Sequence, residues 1–212
     1  MKRKLAALFC AVLTLSAEIV DRVAIRIGNQ VITELQVDEE LRVTALLNRK
    51  PVLRDAGARR DAADRLIEQF MLRREMELSR YPSPDASEVQ SYHSQIESEL
   101  GGPASLSKSL HDYALTEDAL EQHLSLQLAV LQFIAYRFRS DLSVTDADIE
   151  AYYQREAAQA KATHTALPLP LEASKDSIRQ ILIEERTDEA LSAWLEEARK
   201  RFNIVYLDAS LQ

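Results

Sequence analysis

The chain has 212 residues, with 34 acidic against 26 basic side chains, four glycines and one cysteine. That balance argues against a basic surface for nucleic acid or anionic membrane, and a lone cysteine excludes an internal disulfide framework. Hydrophobic residues at 46% with so little glycine favour a mostly α protein, long enough for one large or two small domains.

The elements begin with a secretory signal over residues 1–17: Lys2, Arg3 and Lys4 precede a short apolar run, Leu5 to Leu15. A bilayer span takes about 20 apolar residues, so the run is too short to cross. Cleavage fits after Ala17 or after Ser16, and the competing reading is an uncleaved anchor or a buried N-terminal helix. Cys10 lies inside this run after the bulky Leu8 and Phe9, a poor setting for lipidation. Without Lys2, Arg3 and Lys4, 23 basic residues face 34 acidic ones, a net charge of −11. The mature chain then has no cysteine, and its core must supply its stability.

Val23, Ile25 and Ile27 alternate with Ala24 and Arg26, the pattern of a half-buried strand. Gly28-Asn29 suits a two-residue turn, and Val31-Ile32 resume the β-branched run. Thr33, with Gln36 three residues on, fits the cap of a helix over about Glu34 to Asn48. An isolated hairpin is marginal in water, so these strands need another partner.

Apolar residues at helical spacing (Ala63, Leu66, Ile67, Phe70, Met71, Leu78) predict a second helix over about Ala58 to Ser79. The Tyr81–Asp85 stretch breaks it, and Ser83 with Pro84 can start a third helix, whose face carries Val89, Tyr92, Ile96 and Leu100. Gly101-Gly102-Pro103 ends that helix, and a short one follows over Ser105 to Tyr113. The strongest helix signal starts at Thr116, and between Leu124 and Ile134 its apolar residues run most of the way round, which predicts a central, buried helix. Thr145 with Asp148 caps the next helix. Leu-Pro-Leu-Pro then disfavours helix, so residues 156–174 read as a linker or extended crossing. A last helix over about Lys175 to Phe202 precedes a strand, Asn203 to Leu207, the natural third partner for the opening hairpin.

Little in this order carries chemistry. His93, His111, His123 and His164 are scattered, with no carboxylate or cysteine at ligand spacing, so no metal site and no cofactor is expected. Ser105, Ser107 and Ser109 lack a nucleophile elbow and an identifiable base, which leaves them as the polar face of a short helix. Four glycines cannot build a phosphate-cradling loop. Glu184-Glu185 and Glu196-Glu197 recur beside Arg186 and Arg199, as on a solvated, ion-paired helix face. The remaining candidates are large and adaptable: Met71, Met76, Tyr92, Tyr113, Phe133 and Tyr136 suit binding of varied peptides. For any single one the alternative is ordinary core, and a binding cleft needs several exposed together.

Several segments resemble the SurA-type periplasmic chaperones. "VDRVAIRIGNQVITELQVDEEL" and "RRDAADRLIEQFMLRREM" resemble the family's opening, and "VTDADIEAYYQRE" resembles the exit from its N-terminal domain. "IRQILIEERTDEALSAWLEEARKRFNIVYLD" is similar to its closing helix and strand. The resemblance implies a helical chaperone domain over 18–155, completed by 175–212, with a small sheet formed by the N-terminal hairpin and the C-terminal strand. In the family, parvulin-type peptidyl-prolyl isomerase domains usually lie between these pieces. Here about two dozen residues separate Tyr153 from Ile178, too few for such a domain.

The expectation is therefore a non-enzymatic, ATP-independent holdase of the periplasm. Its partners would be unfolded, apolar or aromatic-rich segments of exported or outer-membrane proteins, with no nucleic acid and no stable membrane insertion after signal removal. The alternatives are a peptidyl-prolyl isomerase, by family association, and an adaptor subunit with one fixed protein partner.

Overall fold

The computed structural model describes residues 21–166 and 168–212, so the expected signal over 1–17 lies outside the described residues. Strand β1 (Val23–Ile27) turns through Gly28-Asn29 into β2 (Gln30–Thr33). Of the two turn residues only Gly28 takes a positive φ, +57°, the first-position glycine of a II′ turn. The antiparallel register places Ile27 opposite Gln30 and slips between Val23 and Ile25. The slip overturns the simple alternation expected of β1. Ala24 and Ile25 are both buried, while Val23 is 39% exposed, because a bulge locally re-aims side chains along a strand.

Thr33 ends β2 and caps α1 (Glu34–Leu47). Gln36 N donates to Thr33 Oγ1 at 3.3 Å, and Thr33 N donates to Gln36 Oε1 at 2.9 Å. This reciprocal pair satisfies amides that the first helical turn leaves without partners.

The hairpin's third partner is β3 (Ile204–Tyr206), antiparallel to the free edge of β1, with Ile27 opposite Ile204 and Ile25 opposite Tyr206. The sheet order is β2-β1-β3. Gly28 N donates to Asn203 O at 3.0 Å and Leu207 N to Ala24 O at 2.8 Å, so pairing runs past both ends of β3.

Helices make up the rest: α2 (Ala56–Ser79), α3 (Ala86–Glu99), α4 (Pro103–Asp112), α5 (Glu117–Ile134), a π-helical turn (Ala135–Arg139), α6 (Asp146–Thr163) and α7 (Leu171–Lys200). The fold is mostly α with one small antiparallel sheet. The cap of α3 is Asp85, not Ser83. Glu88 stands three residues beyond Asp85 and accepts from its backbone N–H at 2.8 Å, completing a capping box that Ser83 lacks. The stretch 156–174 is helical over 156–163 and 171–174, so the connection reduces to 164–170. The prolines disfavour helix only at and just before themselves, and His164 in left-handed conformation stops α6.

Four apolar clusters line up among the described residues. The first joins the sheet (Ala24, Ile25, Ile27, Ile32) to α1, α2, Ala198 and Leu211. The second gathers the far end of α1, α4 and the start of α5. The third joins α2 to α5 and α7 through Leu72, Met76, Ala129 and Phe133. The fourth holds α6 against α7. At about 45 Å, α7 is long enough to link three of them. Glu184, Glu185, Glu196 and Glu197 lie on its exposed side, with Glu197 2.5 Å from Lys200.

Polar ties fix the C-terminal segment to α2. Arg199 Nη2 lies 2.9 Å from Asp64 Oδ1 and 2.6 Å from the Tyr206 hydroxyl. Arg59 pairs with Asp208 at 2.8 Å and donates to Ser210 Oγ at 2.9 Å. Arg60 donates to the Leu211 carbonyl and lies over the Tyr206 ring, 5.6 Å from its centre. Leu211, in a closing 3₁₀ turn (Ala209–Leu211), is fully buried in the first cluster. We predict that Leu211→Ala destabilises the protein by about 2–4 kcal/mol in urea unfolding. Leu207→Ala, at a side chain 53% exposed, should stay within about 0.5 kcal/mol of the parent. Equal effects would contradict the placement of the C-terminal turn in the core.

Candidate functional site: an apolar groove with an acidic end

A groove of about 800 Å³ opens between the end of α2, the 81–84 connection, the start of α3, and α5. Met76, Tyr81, Val89, Leu126 and Ala129 supply its apolar lining; Arg73, Glu77, Asp118 and Glu121 are its charged groups. Local sequence chemistry shapes each wall. Arg80 ends α2 in left-handed conformation, φ 55°, with Tyr81 N donating to Met76 O at 2.9 Å. Pro82 and Pro84 then hold Tyr81 and Ser83 away from helix, which keeps this wall extended. Gln132 Nε2 donates to Glu88 Oε1 at 3.1 Å and ties α5 to α3.

Helix α5 departs from its expected burial. Leu120, Leu124, Ala129 and Phe133 are buried, but Leu131 is 49% exposed and Leu126 faces the groove. The helix packs against two separate clusters; Leu126 opens on the groove, and Leu131, about 140° round the helix from it, is exposed on a different side. These separate openings explain why its apolar residues run nearly all round without full burial.

An aromatic set adjoins the groove at Tyr81. Its ring meets Phe133 edge-on at 5.2 Å and Tyr136 at 5.3 Å, separations typical of favourable aromatic pairs. Tyr136 sits in the π-helical turn with 63% of its surface exposed.

The six residues expected to bind peptide separate on this geometry. Met76, Phe133 and Tyr136 converge here: Met76 is a mostly buried core residue that borders the groove with 8% of its surface exposed, Phe133 lies fully buried beneath Tyr81, and Tyr136 is at the exposed margin. Met71 belongs to the first core, against the sheet, and is buried there. Tyr92 packs partly buried in the second cluster. Tyr113 is spent on structure, donating its hydroxyl to the Lys50 carbonyl at 2.9 Å. Met71, Tyr92 and Tyr113 therefore do not join the groove, and buried Phe133 supports it from below. Periodicity marks an apolar face without saying which neighbour covers it. Tyr81, Val89 and Leu126 were missed as lining residues. The prolines after Tyr81 and the surplus apolar face of α5 are the sequence signals that point to them.

A second polar site lies at the junction of α1, α2 and α5. Glu40 is only 5% exposed. Its carboxylate accepts from Arg65 Nε at 2.8 Å and Thr44 Oγ1 at 3.1 Å, and lies 3.7 Å from His123 Nδ1. His123 is thus mostly enclosed rather than a surface histidine, with its carboxylate neighbour supplied by another helix, which spacing within α5 could not reveal. A buried charge needs such partners, so the set locks three helices together. A 330 Å³ cavity adjoins it, bordered by Gln69 and Gln127. Among the described residues, no group of three or more His, Cys, Asp or Glu side chains could hold a metal ion, and no helix is long and apolar enough to cross a membrane.

No family model matches the sequence, and no curated protein matches it.

Burial pushes the His123 imidazole below its ordinary pKa; Glu40 and Glu39 oppose that shift without cancelling it. The unfolded chain then holds more protons than the folded one between the lowered value and about 6.5. Acidification through that window should cost stability. His123→Gln should remove this contribution, giving a flatter stability profile from about pH 7 to 5 by urea unfolding. Parallel profiles for the two proteins would contradict the assignment.

Proposed function

We propose that the protein is an ATP-independent periplasmic holdase of the SurA type, lacking an isomerase domain. It would bind unfolded, apolar or aromatic-rich segments of exported or outer-membrane proteins. The observation that carries the reading is the open groove, whose Met76, Tyr81, Val89 and Leu126 lining continues into the exposed Tyr136 ring. Methionine and aromatic surfaces adapt to varied partners, and here they share the groove with charged and polar side chains, Arg73, Glu77, Asp118, Glu121, Gln122 and Ser125. The pairing of the N-terminal hairpin with the C-terminal strand supports the reading further, since the resemblance implies a chaperone domain assembled from both chain ends. Residence in the periplasm rests on the leader read over residues 1–17. Release would follow from modest affinity: micromolar binding is about −8 kcal/mol, loose enough for clients to leave.

The test is aggregation of an urea-unfolded outer-membrane protein, diluted with or without the mature chain and without ATP. Light scattering should fall in proportion to added chaperone. The double variant Val89→Asp/Tyr136→Ala changes a half-buried groove residue and an exposed one. It should keep its helical circular dichroism and bind client at least about fivefold more weakly, through a charge placed in the groove at Val89 and the loss of the Tyr136 ring at its margin. Undiminished suppression by the variant, or none by the parent, would contradict the proposal. So would catalysed isomerisation of a short prolyl peptide.

A further inference from the structure

The groove is chemically lopsided. Asp118 and Glu121 lie exposed in the first turns of α5, and the same two carboxylates also border a smaller adjoining cavity with Glu117. Farther along α5 the lining turns apolar at Leu126 and Ala129, and the Tyr81–Tyr136 pair follows. The charged lining consists of Glu77, Asp118 and Glu121 against Arg73, and Glu77 is already 3.5 Å from Arg74. With Glu77 beside Arg74, the two carboxylates of α5 outnumber the single Arg73, so the net negative charge lies with Asp118 and Glu121 at the α5 N-terminal end.

We infer that the groove prefers segments with an apolar or aromatic anchor at one end and a lysine or arginine at the other, the cation lying against Asp118 and Glu121. The inference rests on the holdase reading and specifies its client chemistry. Asp118 and Ala129 are about 16 Å apart along the helix axis, and an extended chain covers that distance in about five residues. The carboxylates thus set a spacing as well as a sign. A carboxylate in the client at that position meets like charge, which selects against acidic segments.

The experiment measures binding of dye-labelled peptides to the mature chain by fluorescence anisotropy. All peptides share one aromatic-apolar anchor and carry Lys, Gln or Glu five residues away. Lys should bind roughly three- to tenfold tighter than Glu at about 20 mM salt. The difference should shrink at about 500 mM. Lys placed directly beside the anchor should lose its advantage. Asp118→Lys/Glu121→Lys should invert the order, and the milder Asp118→Asn/Glu121→Gln should abolish it, with circular dichroism confirming that both variants fold. Equal binding of the three peptides, or an unchanged order in the Lys variant, would overturn the cation preference while leaving the holdase reading in place. Failure of every peptide to bind, with no suppression of aggregation, would overturn both.

Discussion

Strand β1 is hydrogen-bonded on both edges, by β2 from its own hairpin and by β3 from the far end of the chain. A two-stranded ribbon alone would hold a thin apolar face and one free edge, with marginal stability. The third strand closes that edge, and its approach brings α7 and Leu211 over the same buried isoleucines. Arg59, Arg60 and Arg199 hold the returning segment to α2 and the sheet through Asp208, the Leu211 carbonyl, Asp64 and Tyr206. The position of α2 therefore depends on contacts between residues 135 to 151 positions apart in the chain. The groove inherits this dependence, since Met76 and Tyr81 stand at the end of that helix.

The groove exists because α5 has more apolar faces than neighbours. Two faces are committed to the second and third clusters, and Leu126 is left to face the groove beside a connection stiffened by two prolines. Natural surfaces keep contiguous apolar patches small unless they serve binding. The acidic first turn of α5 stabilises the helix through its dipole and also places charge at one end of the opening. One stretch of sequence thus serves helix stability and the electrostatics of the groove.

Much of the fold was legible in the residues. The Thr33-x-x-Gln36 and Thr145-x-x-Asp148 capping signals, the long helices and the closing strand all follow from local chemistry. Details set by tertiary contact were not. The bulge at Val23–Ile25 depends on cross-strand register, and helix overrides the linker expectation on both sides of 164–170. For the site, Met76, Phe133 and Tyr136 were within reach, since they share a region of one apolar system. Met71 has the same chemistry but meets the sheet, and only the packing of α2 decides that. His123 and Glu40 lie far apart in sequence and meet by helix packing alone.

The most direct measurement is site-specific photocrosslinking to an unfolded outer-membrane protein, with the crosslinker placed singly at Val89, Leu126 or Tyr136 and, for comparison, at the exposed apolar Leu35 or Leu53. The account predicts strong client adducts from the three groove positions and weak ones from the two comparison sites. Adducts of equal yield from all five positions, or none from the groove, would contradict it.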